Sequence, residues 1–239
     1  MIIALNNKSN LTKEEFLKYK EDIQKLNFKT SNVILIPSNI YLAAANIPNI
    51  SLGSQNVSMY EMGPHTGEVS ASQLRQLGVS YCLVGHSERR KEQHETNIEI
   101  RNKIKNLLNQ GIIPILCIGE TKEEKNTAHT VIYQELQEAL IGLTEEELKK
   151  VIIAYEPVWS IGTGKNASTE IAQDVCGFIR NILRELFGKV ADEIRILYGG
   201  SVKPENIKAY LSCPDIDGGL VGGASLKKES YEGLLTNIL

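Results

Sequence analysis

Short apolar runs recur along this chain, and amphipathic segments separate most of them. Eight of these runs have the length of a buried β-strand, and they occupy residues 2–5, 33–36, 51–57, 80–84, 112–118, 151–156, 195–199 and 217–222. Strands that alternate with helical segments are typical of βα units, because a parallel strand needs a crossover before its neighbour. The sequence therefore predicts an α/β fold built on a parallel sheet.

The residues at the predicted helix starts support this alternation. Three pairs have the spacing of a capping box, in which a hydroxyl and a carboxylate each accept a backbone N–H: Thr12 with Glu15, Thr96 with Glu99, and Thr144 with Glu147. Ser168 precedes a fourth helical pattern over residues 171–187. These signals predict where several of the crossover helices begin.

Eight βα units in 239 residues fit a closed, eight-stranded parallel (β/α)₈ barrel. A doubly wound open sheet is the alternative, but that fold normally carries a glycine-rich nucleotide fingerprint after its first strand. Here Asn6, Asn7 and Lys8 follow the first strand. Barrels of this length commonly form one domain, so we expect a single domain over residues 1–239.

Charge and composition exclude several classes of protein. The net charge of −3 and the isoelectric point near 5.9 leave no basic stripe for nucleic acid and no polybasic membrane patch. No segment approaches the length of a membrane span and no basic leader is present, so we expect a cytoplasmic protein. The four cysteines lack metal-ligand spacing and are expected to be reduced, structural thiols: Cys82, Cys117, Cys176 and Cys213.

The segment AYEPVWSIGTGK, at residues 154–165, carries the strongest functional signal. Glu156 follows an apolar run, so its carboxylate is expected at the C-terminal end of a strand, where α/β folds bind their ligands. A proline and a tryptophan come next, and glycines follow, which is typical of a lid with a rigid stem. An ordinary βα turn with a surface glutamate is the alternative.

Polar residues also follow the first and fourth predicted strands. Asn6 and Lys8 come after the first, and His86 and Glu88 come after the fourth. A lysine at such a position is often only a solvated cation, but at the ligand face of a barrel it can hold an anion. His86 is expected near a helix N-terminus, which lowers the pKa of an imidazole and favours its neutral form.

Two glycine-rich stretches follow the last two predicted strands, at residues 198–201 and 218–224. The corresponding loops of barrels often bind phosphate, because glycines let successive N–H groups converge on an anion. Either stretch alone is equally compatible with a tight turn, whereas the two together favour a phosphate site.

These residue types point to one kind of chemistry. A carboxylate base, a histidine and a lysine beside a phosphate site are the groups needed to abstract a proton next to a carbonyl. The sequence shows no metal-ligand cluster, no activated serine or cysteine and no nucleotide motif. Proton abstraction next to the carbonyl of a small phosphorylated compound is therefore expected.

Motifs along nearly the whole chain resemble those of the triosephosphate isomerase family, which has a TIM-barrel fold. They are Asn6-Asn7-Lys8, Gln55-Asn56-Val57, Thr66-Gly67-Glu68, VGHSERR at 84–90, CIGET at 117–121, AYEPVWSIGTGK at 154–165, YGGSVKP at 198–204 and GGLVGGASL at 218–226. The resemblance implies interconversion of dihydroxyacetone phosphate and D-glyceraldehyde 3-phosphate in glycolysis and gluconeogenesis, through an enediol(ate) and without a cofactor.

The resemblance also implies a role for each site residue. Glu156 is the base, His86 polarises the carbonyl as a neutral imidazole, Lys8 supplies positive charge, Asn6 donates a hydrogen bond and Glu88 supports them. The backbone N–H groups that bind phosphate are those of Gly162, Ser201, Gly222 and Gly223. Thr66 inserts into a neighbouring subunit near Asn6 and His86, which makes the enzyme an obligate homodimer.

Two other interpretations are open to such a chain. It can be a different sugar-phosphate isomerase or lyase on a phosphate-binding barrel, although the order of the three catalytic motifs disfavours this. It can also be a silent barrel kept for binding, which the presence of all three catalytic side chains disfavours. The chain departs from the family pattern at Asn7 and at Gln93-His94, and we expect these changes to affect local packing rather than catalysis.

Overall fold

A computed structural model of the chain describes residues 1–26, 32–158 and 168–236. Within these residues, eight strands pair in parallel and in sequence order, and the eighth pairs with the first to close a barrel. The strands are β1 Ile2–Asn6, β2 Asn32–Ile36, β3 Ser51–Ser54, β4 Tyr81–Val84, β5 Ile113–Ile118, β6 Ile152–Tyr155, β7 Arg195–Tyr198 and β8 Gly218–Val221. The predicted TIM barrel is confirmed.

Helices surround the barrel and connect its strands. Those in the described residues are α1 Lys13–Gln24, α2 Ala71–Gln76, α3 Ser87–Gln93, α4 Asn97–Asn109, α5 Ala128–Leu140, α6 Glu145–Leu148, α7 Thr169–Phe187, α8 Ile207–Leu211 and α9 Lys228–Thr236. Not one of these helices has both the length and the apolar character that a membrane span requires.

The helix starts lie where the sequence predicts them. Capping boxes form at Thr12, Thr96 and Thr144, and the Ser168 side chain accepts the N–H of Ile171. A further capping box, which the sequence reading missed, begins α2 at Ser70. Each box satisfies two backbone N–H groups that would otherwise lack a partner at the start of the helix.

The strands bury side chains on both faces. In β1, Ile2 and Ala4 belong to the cluster that fills the barrel, whereas Ile3 and Leu5 pack in the layer between the strands and the helices. The other strands contribute to the same two clusters with the same alternation, except β3, of which only Leu52 belongs to a cluster, the outer one. Because neither face meets water, continuous apolar runs rather than alternating ones mark these strands in the sequence.

The strand ends differ slightly from the predicted ones. The run 51–57 was expected to be a single strand, but β3 stops at Ser54. The Ser54 hydroxyl donates to the carbonyl of Asn56 at 2.7 Å, which turns the chain away from the sheet. β6 ends at Tyr155, so Glu156 lies just beyond the strand. The polar residues that follow these strands therefore lie outside the sheet, at the end of the barrel where a site is expected.

The cysteines and one departure from the family pattern also have defined environments. All four cysteines are free thiols, and Cys82, Cys117 and Cys176 are buried, as expected of structural cysteines.

His94 ends α3 in the left-handed conformation, with a φ angle of 54°. A side chain at this angle is strained relative to glycine, so this departure affects the local backbone.

Candidate active site

A cavity of about 690 Å³ opens at the C-terminal ends of the strands. It is lined by most of the residues that the sequence singled out: Asn6, Lys8, His86, Glu88, Glu156, Ser201, Gly222 and Gly223. The fold therefore brings together groups from the first, fourth, sixth, seventh and eighth βα loops. Gly162, the remaining residue expected to contact phosphate, lies outside the described residues.

Glu156 and His86 form a buried pair at the centre of this site. The His86 Nε2 atom lies 2.9 Å from Glu156 Oε1, and the side chains are 7% and 4% exposed. The other carboxylate oxygen, Oε2, accepts the backbone N–H of Ser87 at 3.0 Å. Ser87 is the first residue of α3, so the carboxylate is bound at a helix N-terminus, where negative charge is stabilised.

This environment keeps Glu156 ionised. Burial by itself raises the pKa of the Glu156 carboxyl, but the charge and hydrogen bond of His86, the Ser87 N–H and the nearby Lys8 together outweigh burial. The pKa of Glu156 therefore lies below its usual value. A carboxylate that is ionised at neutral pH can act as a base.

The hydrogen bonds of His86 indicate which tautomer is present. The N–H of Glu88 donates to His86 Nδ1 at 3.2 Å, so Nδ1 carries a lone pair and the proton lies on Nε2, facing Glu156. Burial and the charge of Lys8 lower the pKa of His86, but the charge and hydrogen bond of Glu156 and the charge of Glu88 together outweigh them, so the pKa of His86 lies above its usual value. The hydrogen bonds thus indicate the tautomer, whereas the raised pKa favours the protonated ring while Glu156 is in contact.

Lys8 has a strained backbone. Its φ angle is 53°, in the left-handed region that non-glycine residues rarely adopt. Two side chains hold it there: Asn6 Oδ1 accepts the Lys8 N–H at 3.0 Å, and Gln55 Nε2 donates to the Lys8 carbonyl at 2.8 Å. Strain of this kind costs about 1–3 kcal/mol and persists where the surroundings fix the backbone. Asn6 and Gln55 thus orient the lysine.

The Lys8 ammonium is paired within the site. Its Nζ atom lies 2.5 Å from Glu88 Oε1, and the two side chains are 24% and 45% exposed. The pair is too exposed to add much stability. The pair instead fixes positions. The Glu88 carboxylate holds the Lys8 ammonium near His86 and Glu156, and the Glu88 backbone N–H orients the imidazole.

The two glycine-rich loops line the cavity next to the catalytic candidates Glu156 and Lys8. In the part of the chain that the structure describes, the backbone N–H groups of Ser201, Gly222 and Gly223 have no protein acceptor. Free N–H groups that line a cavity are suited to bind an anion. Ser225 fastens this side to the first loop, since its hydroxyl donates to the Asn6 carbonyl at 3.1 Å and accepts from the side chain of Asn7 at 3.3 Å.

The sequence reading missed several residues of the site. Gln55 directly follows β3, and the same strand-end rule that found Lys8 and His86 would have found it. Lys203 and Lys227 add positive charge at the rim of the cavity, in the loops after β7 and β8. Asn7, a departure from the family pattern, is buried behind the site rather than in it.

Thr66 does not line this cavity in the described chain. It is exposed, in the long loop between β3 and α2, and the side chains of Tyr60 and Met62 on the same loop are exposed too. The rings of Tyr60 and His65 stack with their centroids 4.1 Å apart, which gives the loop a defined shape.

A second buried carboxylate lies behind the site. Glu135 of α5 accepts the N–H of Gly119 at 2.9 Å through Oε2, and its Oε1 lies 3.3 Å from Arg90 Nη1. Burial raises the pKa of Glu135 to about 7, against the opposing effects of Arg90 and the Gly119 N–H, and Glu124 and Glu156 raise it further.

This raised pKa predicts a pH-dependent stability. Between its usual pKa of 4.5 and about 7, Glu135 holds a proton in the folded protein that the unfolded chain releases. The resulting stabilisation is complete below about pH 4.5 and is lost as the pH rises to about 7. The wild type should therefore lose up to about 3 kcal/mol of unfolding free energy between pH 5 and pH 8 through this group. Glu135→Gln should not show this loss, so its unfolding free energy relative to the wild type should rise by the same amount.

Urea unfolding at the two pH values measures this difference. Glu138→Gln is the matched control, because Glu138 lies on the same helix but its pKa is lowered by the side chains of Asn97 and Gln134. Its effect should be the same at both pH values. A Glu135→Gln effect that is equally constant would contradict the raised pKa.

The fold and the site together define a class of protein, a (β/α)₈-barrel enzyme with an acid–base pair and a lysine beside an anion-binding cradle. The family model described as triosephosphate isomerase matches residues 1–238. The chain belongs to the triosephosphate isomerase family.

Curated relatives agree with this assignment. A triosephosphate isomerase of Carboxydothermus hydrogenoformans is 52% identical over 190 residues, which are 78% of this chain and 76% of that protein. One from Streptococcus thermophilus is 47% identical over 197 residues, covering 81% and 78% of the two chains. One from Citrifermentans bemidjiense is 44% identical over 243 residues and covers 98% of this chain and 97% of its own.

Proposed function

We propose that this protein interconverts dihydroxyacetone phosphate and D-glyceraldehyde 3-phosphate by proton transfer through an enediol(ate), in glycolysis and gluconeogenesis. Membership of the family supports this activity and makes the chain an isomerase. The observation that carries the proposal is the buried Glu156 and His86 pair, with Lys8 beside it, in a cavity that ends at the glycine-rich loops.

Glu156 is the proposed base. The carboxylate removes the proton from the carbon next to the carbonyl, and the electron pair of that C–H bond forms the double bond of the enediolate while the carbonyl oxygen becomes negative. The protonated carboxyl then returns this proton to the neighbouring carbon, while His86 moves the hydroxyl proton to the negative oxygen, so that the carbonyl forms at the first carbon. The lowered pKa of Glu156 supports this role, because the group is ionised when substrate arrives.

His86 is the proposed electrophile. Its Nε2–H donates to Glu156 in the described structure, and a single N–H cannot serve the carboxylate and a substrate carbonyl equally well. The carbonyl oxygen is expected to take over this hydrogen bond, which frees the Glu156 oxygen for the substrate carbon. Loss of the carboxylate contact also removes the largest contributions that raise the pKa of His86, which favours the neutral imidazole that the family uses.

Lys8, Asn6 and Glu88 have supporting roles in this proposal. The Lys8 ammonium stabilises the oxygen that becomes negative and attracts the phosphorylated substrate. Asn6 holds the strained Lys8 backbone by its side-chain oxygen, and its amide group is left to donate a hydrogen bond. Glu88 places the ammonium and, through its N–H, fixes the tautomer of the histidine.

The phosphate group is expected to bind the N–H groups of Ser201, Gly222 and Gly223. These groups line the cavity, and within the described residues they have no acceptor of their own. Binding at this end sets the distance between the phosphate and the reacting carbons. A phosphorylated three-carbon substrate is therefore favoured over an unphosphorylated one.

Turnover of the purified protein tests the proposed function. D-glyceraldehyde 3-phosphate should be converted to dihydroxyacetone phosphate in an assay coupled to a reduced nicotinamide, and a phosphorylated enediolate analogue should inhibit competitively. Unphosphorylated glyceraldehyde serves as the control and should react far more slowly. A folded protein without turnover would rule out the proposal.

We also propose that the protein is a homodimer held by the loop around Thr66. Beside the active site, a smaller cavity of about 230 Å³ is lined by Asn6, Lys8, His86 and Glu88 among others, and opens to the surface. The exposed loop tip, in which Met62 is 65% exposed, has the apolar surface to dock on a second copy. Thr66 would then reach the smaller cavity of the partner.

Shortening the loop over residues 60–66 should weaken the dimer and lower the activity together, because the site would lose the packing that the partner provides. Sedimentation velocity and the coupled assay, run at the same protein concentrations, measure the two effects. Thr66→Arg should act in the same direction. Thr130→Arg, which changes an exposed threonine of α5, is the control and should change neither. A fully active wild-type monomer would refute the proposed interface.

The cytoplasmic location and the single domain over residues 1–239 stay predictions. A protein of central carbon metabolism whose substrates are charged phosphates is expected where those substrates are made and used, which is the support for the location.

A further inference from the structure

Arg90 is a centre of hydrogen bonds behind the active site. It lies on α3, and its guanidinium donates to the carbonyl of Gly85 at 2.8 Å, to that of Cys117 at 3.2 Å and to the side chain of Asn97 at 2.6 Å. Gly85 directly precedes His86. One planar side chain therefore ties the turn that carries the histidine to the end of β5.

Glu135 extends this connection towards Glu156. Its Oε1 faces the Arg90 guanidinium at 3.3 Å, and its Oε2 accepts the Gly119 N–H at 2.9 Å. Gly119, with a φ angle of 153°, packs against the backbone of Glu156 so closely that a Cβ atom there would lie 1.9 Å from the Glu156 carbonyl oxygen. Any movement of Gly119 is thus transmitted to the backbone that carries the base.

We propose that Arg90 and Glu135 form a clasp that positions the catalytic pair, with Arg90 fixing the turn before His86 and Glu135 fixing Gly119 against Glu156. They are positioning residues, since neither lines the cavity that holds the catalytic side chains. The proposal rests on the proposed isomerase function and adds to it the two residues that set the distance between base and electrophile.

The geometry of the clasp explains why these residue types are needed. Gly85 and Gly119 leave no room for side chains of their own, since a Cβ atom on Gly85 would lie 2.7 Å from Ile100 and 3.0 Å from the Arg90 guanidinium. Side chains that hold these two turns must therefore reach them from neighbouring elements. An arginine with several donors in a fixed plane can hold two carbonyls and one carboxylate at once, which a lysine cannot.

Three variants test the clasp. In Glu135→Leu the Gly119 N–H loses its acceptor, and in Arg90→Lys the two carbonyls lose their shared donor. Each should lower kcat about tenfold or more, with KM and the inhibition constant of inorganic phosphate within about twofold of the wild type, because misplacing the base affects the reaction rather than phosphate binding. Glu135→Gln keeps an oxygen that accepts the Gly119 N–H and should restore kcat to at least half of the wild-type value.

If these residues only stabilised the fold, their loss would lower the melting temperature without a specific loss of kcat. A control on the same helix shows how such a variant behaves. Leu136→Ala removes a buried side chain of α5 without touching the clasp. It should lower the melting temperature but leave kcat unchanged at temperatures where the protein is folded. If Glu135→Leu fails to fold, Arg90→Lys carries the test. Wild-type kcat in the folded clasp variants, or loss of kcat in Leu136→Ala to the same degree, would overturn the proposal. Absence of turnover in the wild type would instead contradict the proposed function.

Discussion

Glu156→Gln should lower kcat by about a thousandfold, within the range that general acid–base catalysis contributes. The amide has almost the shape of the carboxylate but no basic lone pair to take a proton from carbon. KM and the inhibition constant of inorganic phosphate should stay near their wild-type values, because the N–H groups proposed to bind phosphate belong to other residues, in the glycine-rich loops. Steady-state kinetics in both directions measure the loss.

The fold should survive this substitution. A glutamine can accept only one of the two hydrogen bonds that His86 and Ser87 donate to the carboxylate, so a modest loss of stability is expected. Circular dichroism and thermal unfolding check that the protein is folded. Glu205→Gln, which removes the same charge from an exposed position on the rim of the cavity, is the control and should keep normal turnover. Near-normal kcat in Glu156→Gln would exclude Glu156 as the base.

Lys8→Met should lower kcat/KM by about a thousandfold or more through both parameters. Methionine keeps the length of the side chain but removes the charge proposed to stabilise the enediolate oxygen, and loss of one such group costs about 10²–10³ in kcat. KM should rise as well, because the same ammonium attracts the substrate phosphate. The paired changes distinguish this variant from Glu156→Gln, which should alter kcat alone.

A lysine on the rim provides the comparison for Lys8. Lys227 lines the same cavity but is exposed, and Lys227→Met removes the same charge. It should change kcat/KM by no more than a few fold, and mainly at low salt, where distant charges act on an approaching anion. Equal losses in the two variants would show that Lys8 contributes only to the general attraction of phosphate.

Much of this molecule could be predicted from the sequence, for identifiable reasons. The strands are buried on both faces, so each appears as an apolar run, and the residue after each run lies at the ligand end of the barrel. That single rule places Lys8, His86 and Glu156 in one site although they lie far apart in the chain. The capping boxes fix helix starts because they are local, with both partners within one turn.

The rest depends on contacts between distant parts of the chain. Nothing near Arg90 or Glu135 in the sequence indicates that they meet, because one lies on α3 and the other on α5. The strain at Lys8 is equally hidden, since Gln55 holds it from another loop. The pairing of Glu156 with His86 Nε2 could not be predicted either, because it depends on how side chains from two separate βα loops are oriented towards each other.

The hydrogen bonds of Glu156 in the described structure have a consequence for affinity. The carboxylate accepts the imidazole N–H that we propose for the substrate carbonyl, so in this proposal each binding event replaces an internal hydrogen bond by one to the substrate. The affinity for substrate is reduced by the free energy of that internal contact, and the same contact re-forms when product leaves. Such a site binds substrate and product less tightly and releases product faster. It should bind the charged enediolate more tightly than either carbonyl compound.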